Sequence, residues 1–90
     1  MNSNRFVWVF NGETGLFPSA VFSERKLAED WIREQKLSGT LTAYPVDISA
    51  YQWCLDNNYF KPTKESHSSP EFVANFSSAS QEHYHYDQGS

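Results

Sequence analysis

Ninety residues bearing a net charge of −4 allow one small domain, and a single cysteine excludes both an internal disulfide and a cysteine-built zinc ribbon. The seven basic residues leave no stripe for a phosphate backbone, because Arg25, Lys26 and Arg33 are interleaved with Glu24, Glu29, Asp30 and Glu34; nucleic acid is not an expected partner. Large rings make up 17% of the chain, enough buried area per residue for a core without covalent staples.

The chain opens with an apolar run, "FVWVF" from Phe6 to Phe10, too short for a signal-peptide core or a membrane span. With the lone thiol this reads as a cytoplasmic chain with no membrane partner. The run is apolar on both faces, the pattern of a central strand buried on both sides. "NGETG" follows as a glycine-bearing loop, and "SAVFS" reads as the second arm of an antiparallel hairpin, placed at an edge by Pro18. "SERKLAEDWIREQKLSG" predicts a helix over 24–36. Ser23 serves as N-cap, Leu27, Ala28, Trp31 and Ile32 as the apolar stripe, and Gly39 as the left-handed stop.

"TLTAYPV" has strand composition. In "DISAYQWCLDNN", Ser49 and Gln52 fit a capping box, Ile48 and Trp53 the positions of a hydrophobic staple, and Asn57–Asn58 a helix end. Residues 61–69 lack periodicity and read as a loop. Ser69–Pro70 then predicts a short helix start, although Phe72, Ala74 and Phe76 also alternate like a strand. "QEHYHY" alternates and predicts an edge strand. The result is a single α+β domain folded over about residues 5–87. Two layers are expected: a small, mostly antiparallel sheet of three to four strands in the order ββαβααβ, with helices packed on one face and the first strand between the second and third.

The phrases "FVWVFNGE", "SGTLTAYPVD" and "EHYHYD" carry a resemblance in matching order and spacing. Over roughly residues 5–88 the chain resembles a family of small bacterial proteins catalogued as a domain of unknown function. The resemblance implies a bacterial, freestanding single domain, and brings no activity, cofactor or functional residue with it.

Chemistry concentrates at the end of the chain. In a strand, His83, His85 and Asp87 share one face while Glu82, Tyr84 and Tyr86 take the other. Two imidazoles and a carboxylate form a three-ligand set for a divalent transition metal, with His67 as a fourth ligand if its loop folds back. The competing reading is an edge strand with wetted histidines and packed tyrosines. Cys54 lies on the inferred core face of the second helix, where it acts as a small hydrophobe rather than a nucleophile. Trp8, Trp31, Trp53, Leu27 and Leu55 are expected in the core. The remaining rings exceed what a two-layer core can hide, and partly exposed Tyr and Phe mark contact surfaces. The expectation is therefore a non-enzymatic protein-interaction module without a cofactor. It would bind an unknown protein or self-associate, or neutralise a partner, through Tyr44, Tyr59, Phe60, Tyr84 and Tyr86. The alternative is a small metal binder or metal-dependent enzyme built on His83, His85 and Asp87.

Overall fold

The computed structural model describes residues 5–90. Four strands, β1 (Phe6–Gly12), β2 (Ala20–Phe22), β3 (Gly39–Pro45) and β4 (His83–Tyr86), form one sheet in the order β2-β1-β3-β4. Every neighbouring pair is antiparallel. The helices are α1 (Arg25–Gln35), α2 (Ala50–Asp56) and α3 (Pro70–Ala74), with a 3-10 turn at Glu65–Ser68 ahead of α3. This is the expected α+β order, with β1 flanked by β2 and β3 and with helices on one face.

Register explains which side is covered. Trp8 pairs with Phe22 and Ala43, and Phe10 with Ala20 and Leu41. Alternation puts all of these on one face. There they meet α1: Phe10, Ala28, Ile32 and Leu41 form the buried nucleus, with Trp8, Phe22, Trp31 and Tyr86 packed around it. Phe10, Ile32 and Leu41 are at most 2% exposed, each stabilising the fold by about 1.5–3 kcal/mol. Phe6 carries the same face to α2 through an edge-to-face contact with Trp53, 5.8 Å between centroids. Cys54 is buried, as its helical position predicts.

Several local expectations are corrected. The N-cap of α1 is Glu24, not Ser23, and it makes no side-chain cap bond. The start of α1 is instead tied from outside, by Arg25 to β4. Lys36 takes the left-handed stop, with φ 55, and Gly39 belongs to β3. Leu27 is 50% exposed rather than core, because a single helix over the sheet buries Ala28 and Ile32 and leaves the flank of its stripe open. β1 is central but covered by helices on one face only, since the described residues include no second helical layer. The 61–69 segment includes the 3-10 turn. Other signals hold: Ser49 Oγ accepts from Gln52 N at 2.9 Å, and Ser69 Oγ from Phe72 N at 3.1 Å. The reciprocal half of the Ser49 box is missing, because the Gln52 amide donates to Asp56 instead.

Candidate functional site

Tyr84 and Tyr86 project from β4 towards α1 and are engaged there. The Arg25 guanidinium lies 3.7 Å above the Tyr84 ring and also donates to its hydroxyl at 3.0 Å. Arg25 Nε donates to Glu29 Oε2 at 3.2 Å, and the Tyr86 hydroxyl donates to the same oxygen. The Tyr84 hydroxyl donates to Glu82. Burial, then the bond to Glu29, pushes the Tyr86 phenol up to about 12. The Tyr86 bond, then Arg25, holds the Glu29 carboxyl below its usual range. Both shifts leave the proton on the phenol and the charge on the carboxylate. This is a clasp that fastens an edge strand to the first helix.

The other three rings proposed for the contact surface lie elsewhere. Phe60 belongs to a cluster with Tyr51, Phe72, Phe76 and His67, centroids 5.2–6.0 Å from its own. A shallow groove of about 350 Å³ opens beside it, lined by Phe60, Phe72, Asn75, Phe76, Ser77 and Ser78. Tyr59 is 52% exposed and leans on Trp53, 5.3 Å between centroids. Tyr44 faces the side of the sheet opposite the helices, by its register with Val7. Tyr84 and Tyr86 thus share the clasp, while Phe60, Tyr59 and Tyr44 have other neighbours.

That helix-free side is the feature sequence reasoning missed. Val7 and Val9 of β1, Val21 of β2, and Thr40 and Thr42 of β3 point there with Tyr44. Val21 is 62% exposed, and at the tip of the β1–β2 hairpin Leu16 and Phe17 are 88% and 77% exposed. The outward valines were visible in "FVWVF", but a two-sided apolar strand looks the same whether its second face is buried or waiting.

His83 and His85 stand on this open face, opposite Thr42 and Thr40, with ring centroids 5.3 Å apart. His83 Nδ1 lies 2.8 Å from the Gln81 carbonyl, and His85 Nδ1 3.2 Å from Thr40 Oγ1. Asp87 does not join them: it accepts from Ser38 Oγ at 3.3 Å. His67 is committed to its own turn, its Nδ1 accepting from the Thr63 and Lys64 amides at 3.1 and 3.3 Å. Among the described residues no three of His, Cys, Asp and Glu gather into a metal-ligand group, and no helix is long and apolar enough to cross a membrane.

No curated protein and no solved structure matches the chain. A family match does exist, and it covers nearly the whole sequence, in keeping with an unassigned small-domain family. The chain belongs to the family described as Domain of unknown function (DUF7710), which it matches over residues 7–90.

Proposed function

We propose that this chain is a non-enzymatic docking module whose contact surface is the helix-free face of its sheet, and that a second copy of the chain occupies it. The observation that carries this reading is a four-stranded sheet layered by helices on one side alone, with valines on the other. Charge favours self-association. The outward positions of β1 to β4 on this face include no Asp, Glu, Lys or Arg, although the chain carries a net −4. Stacking two such faces sets neutral surface on neutral surface and keeps the acidic groups at the perimeter, where solvent and salt screen them.

Area sets the strength. Strands about 4.8 Å apart and about 3.3 Å per residue give a footprint of roughly 300–400 Å² per copy, under the ~800 Å² per partner of a stable complex. Leu16 and Phe17 at the hairpin tip enlarge it, but the association belongs to the weak, concentration-dependent class. Sedimentation velocity from micromolar to near-millimolar chain tests this. We expect monomer at the low end and dimer at the high end, with Val21→Asp and Thr42→Lys holding the chain monomeric. A chain that stays monomeric throughout rules out the second copy and points to a different protein as occupant. A dimer indifferent to both substitutions rules out the face.

A further inference from the structure

We infer that His83 and His85 form a two-imidazole chelate for a borderline divalent cation, copper, nickel or zinc, on the open face of β4. This site lies on the face that the docking reading gives to a second copy, but it does not rest on that reading. A carbonyl oxygen only accepts, so the bond from His83 Nδ1 to the Gln81 carbonyl fixes the proton on Nδ1 and leaves the Nε2 lone pair free. Thr40 Oγ1 lies 3.2 Å from His85 Nδ1, and where its hydroxyl accepts, the proton sits on Nδ1 and the Nε2 lone pair of His85 is free as well. Such partners on the far nitrogen orient imidazoles that bind metal.

The spacing fits as well. With metal–nitrogen bonds of about 2.0–2.1 Å, a ring radius of about 1.2 Å and a tetrahedral angle, two chelating imidazoles have centroids about 5.2 Å apart. The observed separation is 5.3 Å, with the rings 87° from coplanar. The donor set is these two nitrogens with water completing the shell. Asp87 is held by Ser38, and the Nδ1 lone pair of His67 is spent on two backbone amides. Two nitrogens and no carboxylate favour copper over nickel and zinc, and exclude magnesium and calcium, which need oxygen ligands.

The test titrates tag-free chain, at the low micromolar concentration where the docking reading expects monomer, with zinc ions. Calorimetry gives the stoichiometry and imidazole nitrogen spectra give the site. We expect one ion per chain, with the Nε2 signals of His83 and His85 moving and those of His67 still. His85→Ala and His83→Ala should each weaken binding at least tenfold, and Thr40→Val by about tenfold, as loss of an outer partner does. Asp87→Asn and His67→Ala should stay within twofold. Unmoved His83 and His85 signals at equimolar zinc overturn the inference. So does an Asp87→Asn or His67→Ala loss as large as that of His85→Ala. Circular dichroism confirms folding of each variant, and His85, which is exposed, is the position least able to disturb it.

Discussion

Tyr86 shows how one hydroxyl can set an alkaline limit. Its phenol ionises near 10 in an unfolded chain and is pushed up to about 12 in the fold, by burial first and the Glu29 bond second. Between those values the unfolded chain has lost a proton that the folded chain keeps. The stability Tyr86 contributes is therefore whole below pH 10 and lost as pH rises towards 12. Glu29 runs the other way. Its lowered carboxyl contributes above the ordinary carboxylate range, and that contribution is lost as pH falls through its folded value. Tyr86→Phe should cost about 1 kcal/mol at neutral pH, the scale of a lost hydrogen bond, and should flatten the fall between pH 10 and 12. Urea unfolding of both forms at pH 7, 9 and 11 measures it; equal alkaline losses would show that Tyr86 plays no part. Alternation in "HYHY" told which residues share a face with Tyr86. It could not tell that Arg25 and Glu29, nearly sixty positions earlier, would meet it, because that depends on how α1 lies across the sheet.

At the scale of elements, β1 and β3 pair over seven positions, from Phe6 opposite Pro45 to Gly12 opposite Gly39. Gly39 closes that ladder at the point of nearest approach. A Cβ there would sit 2.2 Å from the Asn11 carbonyl oxygen and 2.7 Å from Phe10 Cζ. The first is backbone fixed in the ladder, the second part of the core. Gly39→Ala should therefore destabilise by about 3 kcal/mol, at the upper end of overpacking costs. Gly12→Ala, whose Cβ would meet nothing within 4 Å, should cost much less. Urea midpoints of the two variants against the parent decide it, and equal shifts would remove the steric account. The sequence marked Gly39 as a helix stop, a role that proved to belong to Lys36, and gave no sign of the close approach inside the ladder. Caps were more legible: Ser49 and Ser69 both bond as their spacing predicts, because capping is settled within three residues. α1 departs from that rule, since Arg25 reaches β4 and no local side chain caps the helix.

For the whole molecule, one helical layer on one sheet gives a flat shape of 44 × 31 × 17 Å. The radius of gyration is 14.4 Å, against about 12 Å for a compact chain of this length. Element order and strand order followed from hydrophobic periodicity and handed the sheet to one side. The emptiness of the other side was not legible, since apolar outward residues fit a missing layer and a partner surface equally. Cohesion is uneven across this length. The Phe10–Ile32–Leu41 nucleus lies under α1, while the five-residue α3 is held mainly by rings around Phe60 and Phe72. Hydrogen exchange should show the amides of β1 and β3 opening only with global unfolding, and those of residues 65–74 opening well below it. Uniform protection would contradict this picture.

The strand order has a temporal side. β3 stands beside β1 as soon as the first half of the chain can fold, but its other flank, Gly39 to Thr42, is paired by residues 83–86. A nascent chain leaving the ribosome thus carries a bare backbone margin while some forty further residues are synthesised. For that interval the growing polypeptide is most open to joining a foreign strand, and the arrival of four residues, HYHY, ends the exposure.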